Sequence, residues 1–279
     1  MRPAPNVRAQ GAAGVVDGIL YAIAGAVGQR PQRSVVITDA YDSRTNSWTT
    51  KASIPTARFN LAAGVLGDNL YAIGGTDEVG ELNTVEAYDP TTDTWSTRAS
   101  MPTGRESLAV GVINGELFAV GGLNLGPLNT LEAYDPATNT WTTKAPMPTA
   151  RYELTAGVVN GILYAVGGLG NNGIVSTVEA YDPATNTWTT KASMPTALDN
   201  PAAAVLRGRL YVLGGFATNG PSNAVEAFDP ATDSWVMKAP MPHTRFAFGA
   251  GAAAGRLFAV DGCCDRSRHE VRTLWAFNP

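Results

Sequence analysis

An all-β chain built from one repeated antiparallel unit is predicted by three observations. Glycine and proline are abundant, 30 and 18 of 279 residues, and recur at fixed intervals. A tryptophan returns every 46 or 47 residues, at Trp48, Trp95, Trp141, Trp188 and Trp235. Upstream of each lies an apolar segment such as LYAVGG, ending at Gly25, Gly75, Gly122, Gly168 and Gly215, and a sixth copy, LFAVDG, ends at Gly262. Six copies at one period describe a repeat architecture. Breakers at this density punctuate short strands and leave no stretch with helical period.

Residues 151–197 show the elements of one unit in order. ELTAGVV and ILYAVGG are strands joined by Asn160-Gly161, a two-residue hairpin turn whose members both tolerate positive φ. STVEAYD is the third strand. TWTTKA is the fourth, reached through Asp182-Pro183-Ala184-Thr185-Asn186, where proline presets φ and the Asp and Asn side chains bond local backbone. A four-stranded meander must stack on neighbours to bury both faces. First strands are made of small residues, such as Ala62-Ala63-Gly64 and Thr155-Ala156-Gly157, as required where sheets converge on an axis. The periodic Tyr and Trp supply large apolar area further out. The sequence therefore predicts one domain, 1–279, that is a six-bladed β-propeller of four-stranded antiparallel blades. Its repeats run approximately 8–57, 58–104, 105–150, 151–197, 198–244 and 245–279.

A double glycine after an apolar strand, then a Tyr, then a Trp, at this period resembles the Kelch repeat, in its bacterial type, over essentially the whole chain. The pattern departs at Ala24-Gly25 and Asp261-Gly262, which replace the Gly-Gly pair, and the sixth unit has no fourth-strand Trp. TLWAFNP aligns with TVEAYDP, and PAPNVRA aligns with PMPTARY. The last blade is thus expected to lack its outer strand, with 23 strands in the propeller and an open edge capable of weak self-association.

Composition narrows the partners. A net charge of -4 gives no reason to expect nucleic acid or an anionic membrane. MRPAPNVRAQ lacks the apolar region of a secretory signal, which makes the cytoplasm the default location. The two cysteines, Cys263 and Cys264, are adjacent and provide no disulfide framework.

Antiparallel alternation puts the loops after second strands and the links between blades on one face, and the DPATN turns on the other. The first face varies in length and chemistry, so specificity is expected there. It carries a recurrent arginine, Arg8, Arg58, Arg105, Arg151 and Arg245, with Leu198 breaking the series. The Kelch resemblance implies that such arginines hold carboxylates of an acidic peptide, a task suited to a planar guanidinium. The same arginines can instead bridge strands by pairing with a recurrent acid, Asp39, Glu86, Glu132, Glu179 or Glu226. Two loops add further charge, with Arg30 and Arg33 in the first unit and Arg266, Arg268 and Arg272 in the sixth. With Arg8 and Arg245 these form one basic sector, and reversing Arg33, Arg245 and Arg268 is expected to abolish acidic-peptide capture at little cost to packing. The second-unit loop is acidic through Asp77, Glu78 and Glu81.

His243, His269, Cys263, Cys264 and Asp265 are grouped in sequence, but adjacent cysteines lack chelating spacing, and neither a metal nor another cofactor is expected. The leading function is a non-catalytic scaffold for protein or ligand binding, with an acidic peptide or protein segment as the candidate partner. A sugar-active epimerase or mutarotase using Glu106, Glu153 and Asp199 is the alternative, since that chemistry needs only an acid/base pair near the channel mouth. A copper oxidase of this fold type lacks its ligands here. A duplicated or engineered scaffold without a specific ligand is the third reading.

Overall fold

The computed structural model describes residues 1–28, 32–263 and 273–278. Its strands form five four-stranded antiparallel sheets and one three-stranded sheet, with three short ladders of two-residue strands on the loops. Blade three is representative: Ala109–Ile113, Glu116–Val120, Leu131–Asp135 and Thr140–Thr143 pair in sequence order. The register places Tyr134 opposite Trp141. Among the described residues, blade six contains the strands Gly249–Ala253, Arg256–Val260 and Leu274–Phe277. Residues 1–7 contain no strand.

Each first strand packs against two others, and the circuit closes from Gly249–Ala253 of blade six onto Ala12–Val16 of blade one. Small residues are demanded there by the neighbouring blade. A Cβ on Gly111 would lie 2.4 Å from Leu163 Cδ1 of blade four. Glycine at this position lets the leucine of the next second strand approach the axis.

Two concentric rings of backbone hydrogen bonds join the blades. In the outer ring the second glycine of each pair donates its N–H to the carbonyl of the link residue of the next blade, as from Gly75 to Arg105 (3.0 Å) and Gly122 to Arg151 (3.0 Å). The ring ends with Gly262 donating to Arg8 across the blade six–blade one junction (3.1 Å). Gly75 sits at φ +100°, where a Cβ would meet the Phe59 carbonyl oxygen at 2.7 Å. Ala24 (φ 54°) and Asp261 (φ 62°) hold left-handed backbone without glycine, at the two places where the Gly-Gly pair is broken.

The outer cores are built from the periodic aromatics. Tyr134 and Trp141 rings meet at 5.2 Å, tilted by 40°, and Trp141 packs against the cluster holding Tyr71, Met101 and Leu117. The Trp141 indole donates to the Ala99 carbonyl of the preceding blade (2.8 Å). Asn139, the last residue of the DPATN turn and left-handed at φ 54°, accepts from the Ala99 N–H (2.9 Å) and the Tyr134 hydroxyl (2.8 Å). These turns therefore clasp one blade to the next. At blade one the same clasp closes on the N-terminal arm: Trp48 donates to the Arg2 carbonyl (3.1 Å), and the Arg2 N–H donates to Asn46 (3.0 Å).

Candidate functional site

The arginines of the links are buried, at 0% exposure for Arg58, Arg105 and Arg151 and 1% for Arg8. Each pairs with the recurrent acid of its own blade: Arg8 with Asp39 (2.8 Å), Arg58 with Glu86 (2.5 Å), Arg105 with Glu132 (2.9 Å) and Arg151 with Glu179 (2.6 Å). The carboxylate also accepts from a threonine of the link, as Thr103 donates to Glu132 (2.8 Å). The guanidinium donates onward to a second-strand carbonyl, as Arg105 does to Ala119 (3.1 Å). The links are thus tied to their blades by buried charge. Breaking such a pair on one side costs about 3–5 kcal/mol, because the other charge is left uncompensated.

At Arg245 the third-strand acid is replaced by Trp275, and the guanidinium donates to the Thr273 carbonyl (3.0 Å) and the Thr273 hydroxyl. It also lies over the Phe248 ring at 5.7 Å and is buried. The expectation that reversing Arg245 costs little packing is therefore corrected. A carboxylate there would lose these bonds inside the fold. Arg33 is exposed, on a two-residue strand paired with Ala26–Val27. Arg30, Arg266, Arg268 and Arg272, together with Cys264, Asp265 and His269, lie outside the described residues. Among the described residues no three His, Cys, Asp or Glu side chains gather to hold a metal.

Two residues beyond each arginine position lies the inner ring. Gln10, Asn60, Ser107, Glu153, Asn200 and Ala247 all adopt left-handed backbone, with φ between 46° and 59°. Each donates its N–H to the carbonyl of the preceding member, from Asn60 to Gln10 (2.7 Å) round to Gln10 to Ala247 (3.0 Å). The six line the mouth of an axial cavity of about 170 Å³. Below it the lumen is walled by small first-strand residues such as Ala63, Gly64 and Val65. The residues between arginine and ring pair with the loops that follow the second strands, as Phe59 does with Thr76 and Glu106 with Leu123. Links and variable loops thus share one face. The ring was missed in the sequence; its signal is a left-handed-tolerant residue two positions after the arginine, clearest at Asn60 and Asn200.

The described charge around this mouth is acidic on blades three to five. The Glu106 carboxyl is pushed up by burial, with the Asn60 amide (2.8 Å) opposing and Glu81 adding to the shift. The Tyr152 phenol is pushed up by burial and then by the charges of Glu153, Asp199 and Glu106. Three carboxylates and a phenol therefore share one electrostatic neighbourhood. At the rim, the Ser34 N–H and hydroxyl both bond Glu78 (2.8 and 2.9 Å), tying the first-blade loop to the second.

Known proteins agree with this geometry. The KLHDC2/KLHL20/DRC7 Kelch-repeats domain matches residues 1–168, and the Kelch motif matches residues 150–195 and 198–242. The solved structure of YjhT is similar, with TM-score 0.82 over 99% of this chain and 96% of that one at 16% sequence identity, a likeness of fold. No curated protein matches the chain significantly. With family models spanning both halves and the glycine, tyrosine and tryptophan positions all used at blade junctions, the chain belongs to the Kelch-repeat family.

Proposed function

We propose that the chain is a non-catalytic binding scaffold that receives its ligand on the face carrying the blade links, anchored at the axial mouth. The observation that carries this reading is the inner ring. Five of its six left-handed positions present polar side chains around one cavity, on backbone locked by blade-to-blade hydrogen bonds. Such preorganisation reduces the ordering cost of binding. The acidic arc on blades three to five suits a neutral or cationic hydrogen-bonding group at the mouth. Exposed Arg33 is the described cation that an acidic segment of the same partner can reach at the rim, and the buried arginines support the platform from below. Capture from basic, acidic and neutral peptide libraries tests this, using Glu106→Gln with Glu153→Gln at the mouth, Arg33→Glu at the rim and Thr138→Lys on the opposite face. Loss of capture in the mouth variant with retention in the Thr138 variant supports the reading. Equal capture by all variants overturns it.

A second reading is favoured by the same acids. The Glu106 carboxyl and the Tyr152 phenol, both with raised proton affinity near a small polar cavity, can pass a proton to a hydroxylated ligand, as a sugar epimerase or mutarotase requires. Exchange of sugar anomers accelerated by the chain and slowed by Glu106→Gln would establish it, and an unchanged exchange rate dismisses it.

A further inference from the structure

Two large apolar side chains stand fully in water on neighbouring loops of the link face. Val79 is 95% exposed at the tip of the blade-two loop, and Leu125 is 101% exposed at the tip of the blade-three loop. The next most exposed among the described residues, Met237, reaches 55%. Both tips are held by hydrogen bonds. The Asp77 carboxylate accepts from the Val79 N–H (2.7 Å) and the Gly80 N–H (3.0 Å). The Asn124 N–H donates to the Gly126 carbonyl (3.1 Å), and its side-chain amide donates to the Gly104 carbonyl (2.6 Å). Leu125 is left-handed at φ 55°, the only apolar side chain larger than alanine in that region among the described residues. It therefore combines backbone strain with exposed apolar surface, where asparagine would bring neither.

The two loops meet at one link residue. Gly104 stands where the links of blades two, four and five carry Ala57, Ala150 and Ala197. A Cβ on Gly104 would lie 3.3 Å from the Glu81 carbonyl oxygen, so glycine lets the blade-two loop close on the residue that Asn124 grips. The charge around the pair has one sign. Residues 76–83 and 123–129 contain Asp77, Glu78 and Glu81 and no lysine or arginine. Glu81 lies close enough to the Glu106 carboxyl at the mouth to disfavour its charge. The Arg58 and Arg105 guanidinium groups of the adjoining links are buried in ion pairs. Arg33, which faces Glu78 from the blade-one loop, bounds the patch on that side.

We propose that Val79 and Leu125 are paired apolar anchors for a partner protein's segment in which large apolar residues are interspersed with lysine or arginine. The inference rests on the reading that the link face receives the ligand, and it names the partner's chemistry. The apolar side chains of the segment cover Val79 and Leu125, and its cations meet Glu78, Glu81 and, at the mouth, Glu106. Charge complementarity selects this occupant. A purely apolar partner would desolvate the carboxylates without pairing them, and an acidic one would be repelled.

The test is capture from three synthetic peptide libraries of equal length: Lys/Arg with Leu/Phe, Lys/Arg with Ser/Gly, and Asp/Glu with Leu/Phe. The proteins are the wild type, Val79→Ser with Leu125→Asn, and the mouth variant Glu106→Gln with Glu153→Gln. The first library should be retained preferentially and less at high salt, and the loop variant should bind its retained peptides about tenfold or more weakly. Its Tm should be unchanged or raised, because asparagine accepts left-handed backbone, which separates lost binding from lost fold. Equal capture of the two cationic libraries, preference for the acidic one, or unchanged affinity in the loop variant overturns the proposal. So does a dimer that the loop variant dissociates in sedimentation, which assigns the patch to a second copy. Loss in the mouth variant alone overturns this inference and leaves the mouth reading standing. Loss in the loop variant alone supports the patch and overturns anchoring at the mouth.

Discussion

Blade five offers a direct measure of what the buried arginines do, because there the pair is naturally broken. Glu226 is fully buried, yet Leu198 stands where the other blades carry its arginine, so the link threonine Thr196 is left to oppose the cost of burying its carboxylate. Val212 replaces the alanine that the other blades carry in the second strand, filling space the guanidinium would need. Burial pushes the Glu226 carboxyl up, and Thr196 opposes this only in part. The sign follows from linkage: the folded state holds a proton that the unfolded chain releases above about pH 4.3. The corresponding stability is fully present below that pH and is lost as pH rises through the elevated folded value. Glu226→Gln removes the titration. An orphaned buried charge costs about 3–5 kcal/mol, and relaxation and protonation return part of it, so the variant should gain about 1–3 kcal/mol at pH 8 and little at pH 4. In a chain of this size that raises Tm by roughly 2–10 °C. Thermal unfolding of both proteins across pH 4–8 is the assay. Glu132→Gln in blade three, which unbalances Arg105, should move the opposite way. A Glu226→Gln protein less stable than wild type at pH 8, or one keeping the wild-type pH slope, refutes the argument.

Restoring the pair by Leu198→Arg with Val212→Ala should stabilise the chain in chemical denaturation, whereas Leu198→Arg alone should cost about 1–3 kcal/mol through overpacking. Gly111→Ala, whose Cβ would press on Leu163 at 2.4 Å, should lower stability by a similar amount, read as a shift in denaturant midpoint at constant slope. Asp261 bonds Arg8 at 2.7 Å across the closing junction, and burial pushes its carboxyl up to about 6. Its stability contribution is present below about pH 3.9 and lost as pH rises through about 6, so Asp261→Asn should flatten unfolding curves across that window.

Much of the blade was legible in the chain itself. Asn160-Gly161 marks a hairpin because both residues tolerate positive φ, and the 46- to 47-residue return of Trp marks the repeat. The arginine series was ambiguous for a physical reason. A guanidinium on a link serves a ligand or a buried acid equally well until its burial is known, and Arg105 at 0% exposure beside Glu132 supplies that missing quantity. The inner ring was invisible because five of its hydrogen bonds join residues 46 to 50 positions apart, the sixth joins Gln10 to Ala247 across nearly the whole chain, and all six must close together.

The sequence by itself determined the strand order within a blade, the turns and the small first strands. Those features rest on alternation and turn chemistry among near neighbours. Only the tertiary structure decided which charges face solvent, that the DPATN turns clasp adjacent blades, and that Gln10, Asn60, Ser107, Glu153, Asn200 and Ala247 surround one cavity. Burial and ring closure are properties of all the blades packed together, so no single repeat encodes them.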